Sequence, residues 1–327
     1  MTTKTLNRSS LLVSTIVSIA AIAGSASAAQ AQIKADGSST VFPMTERAAS
    51  DFQKATGKRV TVAISGTGGG FKKFCKGETD ISNASRPILE KELKVCRENG
   101  VKFVELPIAM DALTVVVNKS NPVNSITTDE LKTIWNAGST IKNWKDVNKS
   151  FPDTELKLFG PGADSGTFDY FTEAINGKAK QSRTDFTASE DDNVLVQGVS
   201  RDKNAMGYFG FAYYQKNQNR LKALSINGVR PDLQNVKSGS YKPLSRPLFI
   251  YVNAEKLKNN ADLKAFVEAY LGDAEGISNK IGYLPLTNAV YNAGKQQVSD
   301  VKTGTRFAGK EPTGLTIDAL AKMQPSD

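Results

Sequence analysis

Histidine is absent from this chain of 327 residues. That gap removes the commonest general base, every Ser-His-Asp or Cys-His arrangement, and the commonest metal ligand. Cysteine occurs only twice, at Cys75 and Cys96, and never as Cys-x-x-Cys, so neither thiol redox chemistry nor a thiolate metal cluster has support. Nucleotide loops are missing as well: in Gly66-Thr-Gly-Gly-Gly-Phe-Lys-Lys73, Phe71 stands where the phosphate-loop and dinucleotide motifs need glycine. No solenoid repeat and no low-complexity block interrupts the chain. Its bases are scattered among acids rather than gathered in a stripe, which argues against a nucleic-acid partner. The apolar run Leu11–Ala23 falls short of the about 20 residues of a membrane span.

What the chain does carry begins with an export signal. Lys4 and Arg8 precede that apolar run, and small-residue cleavage sites follow at Ala26-Ser-Ala28 and Ala29-Gln-Ala31, the pattern of a secretory leader over residues 1–31. The expected product is a soluble periplasmic protein, cleaved near Ala28 or Ala31 and lacking the cysteine a lipid anchor would need. In that oxidising compartment Cys75 and Cys96 are expected to pair, the alternative being two buried thiols. Formal charge is +9, of which Lys4 and Arg8 supply two; the remaining +7 suits a weak general attraction for anions. About 300 residues beyond the leader exceed what one core usually serves and point to two domains.

Periodicity predicts an α/β architecture. Ile33-Lys-Ala reads as a strand, Phe42, Met44, Ala48, Ala49 and Phe52 as one face of a helix ending near Gly57, Val60–Ile64 as a strand, and Phe71-Lys-Lys-Phe as the opening of another helix. Strand, loop and helix repeated in this way place ligands at the carboxyl ends of strands. Asp111–Asn118 and Arg246–Asn253 are both apolar strands ending in Val-Asn and are read as two crossings between lobes. Lobe 1 is therefore expected over 32–112 and 252–327, and lobe 2 over 113–251. Within the latter, Thr127 and Glu130 form a capping box. Later, Leu263, Phe266, Val267, Tyr270 and Leu271 mark an amphipathic helix, and Leu315–Met323 a last one.

Three stretches of small and hydroxyl residues carry the chemistry: Asp36-Gly-Ser-Ser-Thr40, Ser65-Gly-Thr-Gly-Gly-Gly70 and Gly162-Ala-Asp-Ser-Gly-Thr167. Each precedes a helical pattern, where unpaired backbone N–H groups and a partial positive charge favour an anion. With no base to activate Ser165, Ser165 and Thr167 are read as hydroxyl donors beside the Gly166 and Thr167 amides, ordinary N-capping by Ser165 being the alternative. Ser85-Arg86-Pro87 sets a guanidinium directly after the strand Asp80–Ala84, where its fork suits two phosphate oxygens, or simply an exposed loop. The acids of Ser189-Glu-Asp-Asp-Asn193 are read as helix caps, since their spacing matches no EF-hand. Neither metal nor cofactor is implied.

At these residues the chain resembles the phosphate-binding proteins of bacterial Pst-type ABC importers. The resemblance rests on Asp-Gly-Ser-Ser-Thr-Val-Phe-Pro (36–43), Ser-Gly-Thr-Gly-Gly-Gly-Phe (65–71), Ile-Ser-Asn-Ala-Ser-Arg-Pro (81–87), Asp-Ser-Gly-Thr-Phe (164–168) and Ser-Arg-Pro-Leu-Phe-Ile-Tyr-Val (245–252), and spans nearly the whole mature chain. It implies a two-lobed periplasmic-binding-protein fold of type II, with two hinge strands and inorganic phosphate between the lobes. It further implies donors at Ser39, Thr40, Val41, Gly66, Thr67, Ser165, Gly166 and Thr167, with charge from Arg86, and a monomer that delivers its cargo to an inner-membrane ABC permease. Well-known members carry Asp where Arg86 stands, and Arg where this chain has Pro161. The charge is then expected on the other side of the cleft, and the acceptor of a phosphate proton is sought among Asp111, Asp36 and Asp164, with Asp111 first. Rival readings are a carrier of another tetrahedral oxyanion, an exported phosphatase and an extracellular scaffold.

Overall fold

The computed structural model describes residues 1–3 and 32–326. The leader and its cleavage sites fall, but for the first three residues, outside the described residues. The chain starts β1 (Ile33–Gly37), α1 (Phe42–Thr56), β2 (Val60–Ile64), α2 (Gly66–Phe74), β3 (Ile81–Ala84), α3 (Glu90–Glu98) and β4 (Phe103–Ala112). It continues through β5 (Thr114–Asn118), β6 (Ser125–Ile126), α4 (Thr128–Trp135), α5 (Trp144–Val147), β7 (Lys157–Pro161), α6 (Gly166–Asn176), β8 (Thr187–Ser189), α7 (Asp192–Arg201), β9 (Ala205–Phe209), α8 (Phe211–Lys216), β10 (Leu221–Ala223), β11 (Ser225–Ile226) and α9 (Leu233–Lys237). It closes with β12 (Ser245–Asn253), α10 (Ala254–Asn259), α11 (Ala261–Gly272), α12 (Ala274–Ile281), α13 (Asn288–Asp300) and α14 (Ile317–Lys322).

Two five-stranded sheets divide these strands, in the orders β2-β1-β3-β12-β4 and β10-β5-β9-β7-β8. β1 runs parallel to β2 and β3, as strand–helix–strand connections demand, while β12 returns antiparallel to β3 and β4. The two-lobed α/β architecture is therefore the observed one. β4 and β5 are separated only by Leu113, whose amide donates to the Leu244 carbonyl as the chain crosses between sheets. The return crossing differs from expectation: β12 pairs along its whole length with β4, so the chain re-enters the first sheet at Ser245 rather than near 252. Pro247 is tolerated inside β12 because β3 pairs only from Phe249 onward, leaving one neighbour at that level, beside a bulge at Leu248/Phe249.

The helices form where the pattern places them. α1 buries Met44, Ala48, Ala49 and Phe52 and ends at Gly57, whose φ of 73° is the left-handed conformation glycine adopts freely. Thr127 and Glu130 cap α4 reciprocally. One correction concerns the glycine-rich stretch, which is the opening of α2 itself rather than a loop before it. Cys75, at the end of α2, is bonded to Cys96 on α3, so the expected pairing is present. Joining residues 21 apart, it should contribute on the order of 3 kcal/mol. Replacing both cysteines by serine is expected to lower the urea-unfolding free energy by about that amount without altering the far-ultraviolet spectrum; an unchanged midpoint would place the constraint elsewhere.

Candidate functional site

β1 ends against β3 so closely that a Cβ on Gly37 would lie 2.2 Å from the Asn83 carbonyl, and only glycine fits. The chain then turns through Ser38–Thr40 into α1. Tyr213 from the second lobe donates to the Ser39 carbonyl at 2.7 Å, and Tyr283 to the Thr40 carbonyl at 2.8 Å, which fixes this turn from two sides. Val41 is the N-cap of α1, and its amide has a long contact of 3.4 Å with Ser38 Oγ. At the neighbouring helix start, Gly66 is left-handed, at φ 73°, and Thr67 Oγ1 accepts from the Ser85 amide at 3.1 Å. Gly68, in the first turn of α2 where an N–H has no helical partner, donates to the Asp164 carbonyl of the other lobe at 2.7 Å.

The second lobe answers with α6. Ser165 caps it by accepting from the Thr167 amide at 3.1 Å, so the N-cap reading holds for this side chain. Gly166 sits directly on the first lobe: a Cβ there would fall 2.4 Å from Thr67 Oγ1 and 2.7 Å from Ser85 Oγ. Thr167 Oγ1 lies 3.1 Å from Thr40 Oγ1 across the cleft. Ser39, Thr40, Val41, Thr67, Ser165, Gly166 and Thr167 are all buried. The structure brings the three glycine- and hydroxyl-rich stretches together at one seam, with the lobes shut.

Charge arrives from a residue the sequence analysis passed over. Arg246, the second residue of β12, is directly opposite Asp111 on β4. Its Nε and Nη2 donate to Asp111 Oδ2 at 3.2 and 3.0 Å, and Nη2 also reaches Thr40 Oγ1 at 3.2 Å and Thr167 Oγ1 at 2.9 Å. Nη1 is buried with no partner. Arg86, by contrast, spends its fork on protein acids: Glu92 takes Nη1 and Nη2 at 2.8 and 2.7 Å, Asp169 takes Nε at 2.8 Å, and the Pro87 carbonyl takes Nη1 at 2.9 Å. It is neither an exposed loop arginine nor a free cation.

The three acids considered as proton acceptors are likewise engaged. Asp111 holds Arg246 through Oδ2 and accepts the Phe211 amide on Oδ1 at 3.0 Å; burial raises its carboxyl, opposed by Arg246. Asp36 takes Ser65 Oγ at 2.7 Å and the Lys73 ammonium. Asp164 pairs with Lys72 at 2.7 Å. A fourth acid is different. Asp192 opens α7 and is fully buried; its Oδ1 accepts from Ser39 Oγ at 3.0 Å, and its Oδ2 has no partner. Burial pushes it up to about 7, against the hydrogen bond from Ser39 and the attraction of Arg246. The acidic cluster 189–193 does cap a helix, through Asp191, which accepts from Asn193. The signal that separates Asp192 from its neighbour is the apolar run after it, which turns one face of α7 inward.

Among the described residues no helix is long and apolar enough to cross a membrane, and no group of three or more acidic or sulfur side chains could hold a metal ion. The sequence matches the PBP superfamily domain over residues 23–273. It is 52% identical over 323 residues to Protein SphX of Synechococcus elongatus, covering 94% of this chain and 95% of that protein. It is 38% identical over 282 residues to the phosphate-binding protein PstS of Staphylococcus saprophyticus, covering 83% and 86%. The phosphate-bound structure of a substrate-binding protein assigned to a phosphate ABC transporter of Clostridium perfringens superposes with a TM-score of 0.69 at 26% identity, over 78% of this chain and all of that one.

The raised Asp192 carboxyl has a consequence for stability. The folded protein keeps a proton that the unfolded chain releases, so ionisation favours unfolding between the ordinary value of 3.8 and about 7. Relative to Asp192→Asn, the wild type should lose stability as pH rises through that window, by on the order of 4 kcal/mol in total, and then level off. Urea unfolding of both proteins across the window checks this; a difference independent of pH would mean that Asp192 is ionised throughout.

Proposed function

Because the chain belongs to the PBP superfamily and, within it, to the family of PstS-type phosphate-binding proteins, we propose that it captures inorganic phosphate between its lobes and hands it to an inner-membrane ABC permease. The reading is carried by one observation. Arg246 Nη2, Thr40 Oγ1 and Thr167 Oγ1, from the hinge and both lobes, stand within 2.9–3.2 Å of one another at the N-termini of α1 and α6. Hydroxyls and helix N–H groups at such a junction can turn from each other to a tetrahedral anion, and the Nη1 donor of Arg246 is free to follow. Arg246 thereby takes the role first given to Arg86. Ser39, Thr40, Val41, Gly66, Thr67, Ser165, Gly166 and Thr167 supply the remaining donors, and Asp111 orients the guanidinium.

Asp192 replaces Asp111 as the acceptor of the phosphate proton. Its Oδ2 is a buried acceptor without a donor, and phosphate near neutral pH still carries a hydroxyl that sulfate lacks. Once ionised, Asp192 repels sulfate and leaves it an unmet hydrogen bond, so preference for phosphate should widen as pH rises through about 7. Binding favours the closed form because donors from both lobes reach the ligand only there, and no bond is made or broken. The protein is read as a periplasmic monomer, its permease recognising the closed lobes.

Calorimetric titration of ligand-stripped protein tests this directly. Thr167→Val, which keeps the shape and removes the hydroxyl, should weaken phosphate binding about tenfold. Asp192→Asn should bring sulfate and phosphate affinities close together. Wild-type protein that takes up no phosphate, or that binds sulfate equally at pH 8, sinks the reading.

A further inference from the structure

The cleft holds a second charged junction, apart from the hydroxyl cradle. Arg86 and Asp169 are both completely buried, and they join the two lobes. Arg86 follows β3 and is backed by Glu92 on α3 of the same lobe, whereas Asp169 lies on α6, two residues beyond Thr167. Lys180 Nζ stands 3.1 Å from the other oxygen of Asp169. Over this junction runs the C-terminal segment. The Gly309 carbonyl accepts from the Glu90 amide at the start of α3, at 3.1 Å, and the Gly314 amide donates to the Tyr170 hydroxyl on α6, at 2.8 Å. Between these two anchors lies Glu311. The residue as a whole is only half-buried, yet both of its carboxylate oxygens are closed off from solvent and neither has a hydrogen-bond partner.

We propose that Arg86 and Asp169 are positioning residues, a latch that holds α6 against the first lobe for ligand capture, and that the protonation state of Glu311 in the overlying strap sets the strength of that latch. The proposal rests on the phosphate reading for its ligand, but not for its account of closure.

Charge counting gives the mechanism. With Glu311 neutral, Arg86 and Lys180 balance Glu92 and Asp169. An ionised Glu311 adds a further carboxylate beside Glu92, Asp169 and Glu173 with no cation to itself, since Arg86 is held by Glu92 and Asp169, Lys180 by Asp169 and Arg246 by Asp111. Facing it are Arg86 from the first lobe, Asp169, Tyr170 and Glu173 from α6, and Arg246 from β12, while Glu92 and Lys180 complete the cluster through Arg86 and Asp169. Burial pushes the Glu311 carboxyl up to about 8 against the attraction of Arg86, and Asp169 adds to the rise. Opening the cleft parts these neighbours and wets the carboxylate, returning it toward the ordinary 4.5. Closure therefore takes up a proton, so the closed form, and with it phosphate affinity, weakens as pH rises from about 4.5 to about 8 and levels off beyond.

Phosphate changes its own charge within that window, so the test compares wild type with Glu311→Gln, and with Glu311→Ala should the amide disturb folding. The ratio of their phosphate dissociation constants, wild type over variant, is expected to rise about tenfold or more between pH 5 and pH 8.5. Small-angle scattering of the ligand-free proteins supplies a reading that needs no phosphate: the wild type should expand over the same range and the variants should not. Parallel pH profiles together with parallel scattering overturn the latch. A wild type that binds no phosphate at any pH overturns the functional reading instead, and the scattering then decides the latch alone.

Discussion

The structure turns on the ion pair between Arg246 and Asp111. Each of these charges, fully buried, would cost several kcal/mol if left alone. They avoid that cost by facing each other across the paired strands β4 and β12, where the backbone register holds them in place. Asp111 uses its other oxygen to accept the first amide of α8, so the second lobe is fastened to the same carboxylate. Arg246 meanwhile lies over the Tyr170 ring at 5.7 Å and touches a hydroxyl of each lobe. On the proposed reading, the positive charge offered to a ligand thus belongs to the paired strands β4 and β12 rather than to the loops at the helix N-termini. Loops can move apart without taking the charge with them.

Two buried arginines in one cleft serve opposite ends because their partners differ in number. Arg86 faces two carboxylates and a carbonyl, which saturate most of its donors and leave no net positive charge for a ligand. Arg246 faces one carboxylate and two hydroxyls, and retains an unused nitrogen. Hydroxyls are yielding partners, since they reorient freely and can donate as well as accept. A guanidinium surrounded by them can change its allegiance at little cost, whereas one clasped by two acids cannot.

Much of this was legible in the sequence. The spacing of Met44, Ala48 and Phe52, the alternation in Val60–Ile64, the box at Thr127 and Glu130, and the kinship of the segments opening at Asp111 and Arg246 all report local rules, and local rules survive without coordinates. The three glycine- and hydroxyl-rich stretches stood out for the same reason, and the structure brings them to one seam, although Ser165 serves there as an ordinary N-cap and the glycines open α2 itself. Three features were not. Arg246 begins an apolar strand, and its partner lies 135 positions earlier. Arg86 looked free because Asp169 reaches it from the opposite lobe, and Glu92 is recognisable as a partner only once α3 has formed. Asp192 was hidden by its neighbours: one of two adjacent aspartates caps the helix and the other turns inward, a choice made by tertiary packing.

The hydrogen bond from the Gly68 amide to the Asp164 carbonyl gives the molecule an internal gauge. A first-turn amide of α2 has no acceptor within its own helix, so its shelter depends on the opposite lobe staying in place. Every excursion that parts the lobes bares that single proton to solvent while the helices and sheets remain intact. Deuterium uptake at Gly68 would therefore report how often the lobes part, separately from any loosening of the fold.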